Sequence, residues 1–451
     1  MRSLRYSVLL GLAVCCCLAA SAAAEKPANE PFFPHAGNRG YDARYYEVHL
    51  DYHRDRSIEA DVTVAMQAKE DLSSFSLDFF GPRVTEVRLE TKRARYRRRP
   101  GKLIVFPKAP IQKGEEFVTR VFYSGKPPKV TDPDGTQEGW YRTDDGVLAV
   151  GEPQGTAAWI PCDNVPSDKA SFGVDITVPD DLKAISNGNL FNVNRRHPGE
   201  VTYAWGEGRP MSPYLAVLDI GRGKIVGSAL DRHRTWTLID PRLERRSLPV
   251  LAELPEIVDF ESKLYGPYPF VAAGSIVDYA PKLGYALESQ SRPIYPYVPD
   301  LTTVVHETAH QWFGDSVGLK RWPEIWLNEG FATWTEWYYA EQHGRRSAHA
   351  IFNRLYKVPA SNTKFWDPPS AHPGTPVHMF GPSVYVRGAM TLEALRLKIG
   401  TQPMLHILHR WAQAHRYGSG TIKGFIALAE KISGRNLEPF FQRWLYQRGK
   451  P

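Results

Sequence analysis

The stretch Val304-Val305-His306-Glu307-Thr308-Ala309-His310-Gln311-Trp312-Phe313 joins two patterns, one structural and one chemical. Val304, Val305, Ala309, Trp312 and Phe313 recur at helical spacing, and Pro299-Asp300 just upstream has the form of a helix start. The spacing predicts a helix over 300–316 with one side buried and the other turned to a cleft. On that helix His306 and His310 stand four residues apart, about one turn, so both imidazoles reach a single ion. Glu329, on a following segment, supplies a third ligand and leaves a position open for water, as in a catalytic zinc site. Glu307 is too close in sequence to ligate from the histidine face and is better placed as a general base.

Chance is a weak rival to this reading. In 451 residues with 14 His and 49 acidic residues, His-acid-x-x-His is expected roughly 0.05 times, and a glutamate at one fixed later position lowers that about tenfold.

The remainder of the chain is that of an ordinary globular protein, with 42% hydrophobic and 23% charged residues and length enough for two or three domains. A formal net charge of +7, part of it on Arg2 and Arg5, is too thinly spread to point to nucleic acid or acidic lipid. Arg2 and Arg5 precede an apolar run from Val8 to Ala20, and Ser21-Ala22-Ala23-Ala24 offers a cleavage site. Residues 1–24 therefore read as a secretory signal, which makes the protein periplasmic or secreted. Val14 stands before Cys15 where a lipoprotein anchor calls for a small residue, so lipid anchoring is the lesser alternative. No later apolar run approaches membrane-spanning length. Beyond the leader only Cys162 remains, which excludes an internal disulfide and any metal site of several thiolates.

Residues 25–40 read as an extended, Pro- and Gly-rich lead-in. From Tyr41 the pattern has the period of half-buried strands: Tyr46, Val48, Leu50 and Tyr52, then Val62, Val64 and Met66, then Phe75, Leu77 and Phe79. Further strands are expected at 103–106, 117–123 and 172–178. The run from Lys92 to Arg99 is followed at once by Pro100-Gly101 and reads as a solvated hairpin tip rather than a polyanion site. After about 245 the periodicity turns helical, with helices expected over 248–265, 300–316, 324–342, 383–399 and 402–415, and two more between 421 and 447. The fold class is α+β: an antiparallel β-rich domain over 41–224, then a mainly helical metal-binding domain over 225–451, with substrate in the cleft between them.

Val305-His306-Glu307-Thr308-Ala309-His310-Gln311-Trp312, with Trp326-Leu327-Asn328-Glu329-Gly330-Phe331-Ala332, resembles the aminopeptidase N family of gluzincin metallopeptidases, relatives of leukotriene hydrolase. Pro161-Cys162-Asp163 with Pro166-Ser167-Asp168-Lys169-Ala170, and Phe440-Phe441 with Trp444-Leu445, carry the likeness over nearly all of the chain after the leader. The resemblance implies a saddle-like β domain and a thermolysin-like catalytic domain. It implies that His306, His310 and Glu329 hold one Zn²⁺ per chain, that Glu307 acts as base, and that Tyr385, in Val384-Tyr385-Val386-Arg387-Gly388, donates to the oxyanion. Glu336, two turns after Glu329, either orients a ligand or makes a surface salt bridge.

The family's Gly-x-Met-Glu-Asn segment, which receives the substrate's free amine, corresponds to Gly284-Tyr285-Ala286-Leu287-Glu288-Ser289-Gln290. Glu288 is retained, while Tyr285, Leu287 and Ser289 depart from the pattern and imply a narrower or reshaped pocket. Glu152 and Gln154 resemble the residues that supply a second acceptor, and spacing leaves open which does so. Larger family members continue into further domains over the active site; this chain stops at Pro451, which implies a more open cleft or one covered by another subunit.

The expected activity is that of an exported zinc aminopeptidase acting on peptides with a free N-terminus. Three rival readings remain. One is a zinc hydrolase of a non-peptide electrophile such as an epoxide, which nothing specific supports. Another is a silent peptide-binding module, which would be expected to have lost ligands. The last is an endopeptidase, against which Glu288 argues. Neither a nucleic-acid partner nor an oligomer is implied.

Overall fold

The computed structural model describes residues 28 and 30–451 except 196, 231 and 232, so the leader assigned to 1–24 lies outside the described residues. The alternating strands assemble first. An eight-stranded sheet runs from edge to edge through Asn189–Asn194, Glu200–Met211, Ala170–Pro179, Tyr41–Tyr52, Ile58–Ala68, Glu116–Gly125, Arg83–Leu89 and Lys92–Arg93. Tyr46, Val48, Leu50 and Tyr52 are all buried, as their period requires. Neighbouring strands are antiparallel except Tyr41–Tyr52 and Ala170–Pro179, which pair in parallel.

A five-stranded sheet, Lys183–Ser186, Leu218–Gly221, Val147–Val150, Gln137–Arg142 and Lys129–Thr131, carries the loops that bring Asp134, Thr136 and Glu152 to the cleft. The arginine-rich run lies mostly on a strand, Arg95–Arg99, at the edge of a three-stranded sheet. It turns through Gly101, at φ +72°, into Lys102–Phe106. Arg95, Arg97 and Arg99 are exposed, whereas Arg98 tucks under the turn and donates to the Phe79 carbonyl at 2.9 Å.

From Lys224 onward a small sheet precedes the helices: Lys224–Leu230, His233–Ile239, Ala272–Val277 and Ile294–Tyr295, the last three parallel. These strands lack a period-2 signal. Ala272–Val277 is buried at every residue, so its sequence does not alternate. The predicted helix over 248–265 is two, Glu244–Leu251 and Leu254–Tyr265, with Pro255 in the first turn of the second.

The predicted helix over 300–316 spans Leu301–Ala309, and the chain then turns. Gly314, at φ +138°, lets its N–H bond the Val317 carbonyl at 2.9 Å and close the turn. Trp326–Gln342, Pro382–Ile399 and Thr401–Ala414 follow the expected helical periodicity closely. The C-terminal pair is Ile422–Ser433, ended by left-handed Gly434, and Glu438–Phe441. No helix of the described residues is long and apolar enough to cross a membrane.

Two features place the site. The helices Trp326–Gln342 and Pro382–Ile399 touch at Gly330 and Gly388, where an added Cβ on either would sit 3.0 Å from the other's backbone. That close approach brings Glu329 and Tyr385 to the same cavity. The strand-rich part is pinned to the turn beyond the zinc helix, since Lys169 Nζ donates to the carbonyls of Asp315 at 2.6 Å and Ser316 at 3.0 Å. Glu30, in the lead-in, accepts from the Trp322 N–H at 3.0 Å.

Candidate metal centre and substrate cleft

The helix Leu301–Ala309 begins at Asp300, whose carboxylate accepts from the Thr303 N–H at 2.9 Å. Val304, Val305 and Ala309 are buried beneath it, which turns His306 and His310 outward to the cleft. Each imidazole is fixed through Nδ1. His306 Nδ1 lies 2.6 Å from Glu336 Oε1, and His310 Nδ1 lies 3.0 Å from the Phe313 carbonyl. Both acceptors require the proton on Nδ1, so both Nε2 lone pairs point into the cleft. They face each other at 3.1 Å, and each is 3.3 Å from Glu329 Oε2.

That triangle fits zinc. Ligands placed tetrahedrally at about 2.0–2.1 Å from the ion lie about 3.3–3.4 Å apart. Two lone pairs opposed at hydrogen-bond distance also demand a cation between them. Without a metal the cation would be a proton: burial opposes it, but the carboxylates of Glu329 and Glu336 lift His306 well above its ordinary range. His310 rises to about 9 in the same way, against burial, through Glu329 and Glu288. Burial works against ionised Glu329 as well, yet the two imidazoles hold its carboxyl down to about 2. Glu336 thus fixes the His306 ring through Nδ1 rather than making a plain surface salt bridge.

Around this centre lies a cavity of about 450 Å³ lined by residues of both halves, among them Glu307, Tyr385, Glu288 and Glu152. Burial raises the Glu307 carboxyl to about 8, against the pull of His306 and His310. Tyr385 stacks beside His306, with ring centroids 6.0 Å apart and planes 12° apart. Burial, then Glu329 and Glu152, push its phenol well above the ordinary range, so it keeps its proton and remains a donor.

Glu288 is positioned from the turn that follows the zinc helix, because Gln311 Nε2 donates to the Glu288 carbonyl at 2.9 Å and Gln311 Oε1 accepts from the Ser291 N–H at 2.7 Å. The segment is also held from the strand-rich side by Ser291 Oγ, which accepts from the Gly188 N–H at 2.8 Å. Glu288 and Glu152 are 2% and 8% exposed, and Oε1 of each has no partner among the described residues. Ligand oxygens of Glu152, Glu288 and Glu329 lie within 4.8 Å of one another. Burial, and for Glu152 next the charge of Glu288, raises both carboxyls, the mark of acids awaiting a counter-cation.

Between Glu152 and Gln154, the structure turns Glu152 to the cavity. Gln154 is absent from the lining, and its amide instead donates to the Pro153 carbonyl at 3.0 Å. Buried Glu138 sets this loop by accepting from the N–H groups of Gln154 at 3.0 Å and Gly155 at 2.6 Å. Of the three departures around Glu288, only Tyr285 lines the cavity, while Leu287 and Ser289 are buried away from it. The Tyr285 hydroxyl donates to the Gln137 carbonyl at 2.8 Å. Gln311, Glu138 and the hairpin around Asp134 carry no local sequence signal of their part in the site, because their contacts join residues distant in the chain.

A helix bearing His-Glu-x-x-His, a glutamate ligand from the next helix and a β-rich partner define a zinc metallopeptidase of the gluzincin type. Residues 42–215 match the peptidase M1 N-terminal domain and residues 296–444 the peptidase family M1 domain. The chain belongs to peptidase family M1. It is 24% identical over 431 residues to probable aminopeptidase 1 of Sulfurisphaera tokodaii, covering 90% of this chain and 53% of that protein. It is also 24% identical to aminopeptidase N of Haemonchus contortus, over 76% of this chain and 39% of that one. The chain thus spans about half or less of the length of these curated relatives.

The M1 zinc metallopeptidase of Deinococcus radiodurans superposes with a TM-score of 0.86 at 28% identity, over 94% of this chain and 98% of that one. A mutant of that enzyme has been solved with a Tyr-Ser-Ala substrate.

Proposed function

We propose that the protein is an exported zinc aminopeptidase that removes single residues from the free N-terminus of peptides. The observation that carries this reading is the pair of buried carboxylates Glu152 and Glu288, each with an unpartnered oxygen among the described residues and each with an oxygen within 4.8 Å of a Glu329 oxygen. An ammonium group held there leaves room for about one residue before the metal centre, which favours cutting after the first residue. The aminopeptidase names of the relatives support the same activity.

Bound at His306, His310 and Glu329, zinc supplies Lewis acidity and makes a water acidic near neutral pH. Glu307, poised by burial, takes the proton of the attacking water and returns it to the leaving amine. Tyr385 donates its phenolic proton in a hydrogen bond to the oxyanion. Glu152 and Glu288 hold the ammonium and so fix the scissile carbonyl. The leader at 1–24 supports export. We take 41–224 and 225–451 as the working units, supported by the new sheet that opens at Lys224.

An aminoacyl anilide assayed with and without an N-acetyl cap tests the proposal. The cap removes the charge that Glu152 and Glu288 receive, and kcat/KM is expected to fall at least about a hundredfold, as for loss of a buried charged partner. Equal hydrolysis of the two would rule out the exopeptidase reading.

A further inference from the structure

Lys169 belongs to the segment Pro166-Ser167-Asp168-Lys169-Ala170, which lies outside the cavity wall and takes no part in the reaction above. The segment is held to the strand-rich half. Ser212 Oγ donates to the Pro166 carbonyl at 2.6 Å, Asp168 Oδ2 accepts from the Ala43 N–H at 3.3 Å, and Ala170 opens the strand Ala170–Pro179. Its lysine side chain crosses to the other half. The ammonium is partly buried, which lowers it to about 7 against the pull of the Asp315 charge. An apolar side chain would join the halves without that desolvation. The ammonium supplies direction instead, donating to two carbonyls of one turn.

Those carbonyls end hydrogen-bond chains that lead back to the site. The peptide group joining Asp315 to Ser316 accepts from Lys169 Nζ through its C=O and donates through the Ser316 N–H to the Gln311 carbonyl at 3.2 Å. The next peptide group accepts from Nζ through the Ser316 C=O and donates through the Val317 N–H to the Trp312 carbonyl at 3.0 Å. A cation at the head of such a chain polarises the bonds behind it. Gln311 in turn holds the Glu288 segment by its side chain. In the same turn the Asp315 N–H donates to the His310 carbonyl at 3.0 Å, and the Phe313 carbonyl receives His310 Nδ1. Lys169 lies against Gly318, where an added Cβ would come 2.7 Å from Cε and 2.9 Å from Nζ.

We infer that Lys169 is a positioning residue: from the half that carries Glu152 it sets the turn that aims the metal ligand His310 and, through Gln311, the amine-binding Glu288. This rests on the aminopeptidase reading above. A purely structural role for the lysine would lower stability and leave the site of the folded protein unaltered.

The test uses the full chain with Lys169→Met, which keeps most of the side chain's length and removes its donors. A second variant, Gly318→Ala, keeps the donors and pushes the flexible end of Lys169 off the carbonyls. Circular dichroism establishes that each variant is folded. Competition with a chelator is expected to show zinc bound about tenfold more weakly by Lys169→Met, the lower end of the range for groups that orient a ligand, and about threefold more weakly by Gly318→Ala. At saturating zinc, KM for a free-amine aminoacyl anilide should rise about three- to tenfold in both, by more than kcat falls, as weakened substrate binding requires. A lower Tm with zinc affinity and KM unchanged would overturn the inference, and Gly318→Ala alone decides should Lys169→Met fail to fold. A raised KM with unchanged zinc affinity would overturn the role at His310. If the wild type releases no first residue, the aminopeptidase reading fails, while zinc affinity still decides whether Lys169 acts on His310.

Discussion

His306 shows how a single residue ties sequence to chemistry. Its partner Glu329 was legible from local spacing, because i and i+4 on a helix fix the ring pair and the following motif fixes the carboxylate. Glu336 was harder: a glutamate two turns past a ligand has the same sequence signature whether it orients a histidine or meets solvent. The 2.6 Å contact to Nδ1 decides it. A carboxylate there fixes the tautomer and raises the basicity of Nε2. Glu336→Ala is expected to weaken zinc binding about 10–100-fold with the fold retained, measured by competition with a chelator. Unchanged zinc affinity would contradict the assigned role. Glu152 and Gln154 mark the other limit of legibility. Both lie in one loop, and which side chain enters the cleft depends on the bonds that Glu138, sixteen residues before Gln154, makes to the loop's backbone.

At the scale of elements, the long amphipathic helices were legible and the short buried strands were not. Ala272–Val277 has small and apolar residues on both faces, so alternation is lost where a parallel sheet is covered on both sides. The break between Leu251 and Leu254 and the early end at Ala309 depend on local backbone choices that periodicity does not report. The contact of Gly330 with Gly388 belongs to this scale too. It sets how near the helix of Glu329 comes to the helix of Tyr385, and Arg387 beside it is fully buried, donating to the carbonyls of Trp444 at 2.9 Å and Gln447 at 2.6 Å. Gly388→Ala puts a methyl 3.0 Å from the Gly330 Cα, with backbone on both sides and no flexible side chain to yield. The expected cost is about 1–3 kcal/mol of stability, as for an overpacked core, together with lower turnover from the displaced Tyr385. Thermal unfolding and steady-state kinetics check both, and an unaltered Tm would show that the crossing tolerates the extra volume.

Over the whole molecule, function depends on a cleft that neither half builds alone. The strand-rich half contributes Glu152 and the Asp134 hairpin, and the helical half contributes the metal ligands, Glu307, Glu288 and Tyr385. Lys169, Ser291 and Tyr285 span the junction. The zinc motif by itself indicated only metal-assisted hydrolysis. The unpartnered pair of carboxylates beside it turns that into a claim about the substrate's end.

The central claim is hydrolysis at the N-terminus with Glu307 as base. Its most direct test is the rate at which the first residue is released from a free peptide by the wild type and by Glu307→Gln, both shown to carry one zinc per chain. The account predicts release by the wild type and a loss of about 10²–10⁴-fold in kcat for Glu307→Gln, the range of a general base removed. Undiminished release by the zinc-loaded Glu307→Gln protein would contradict it.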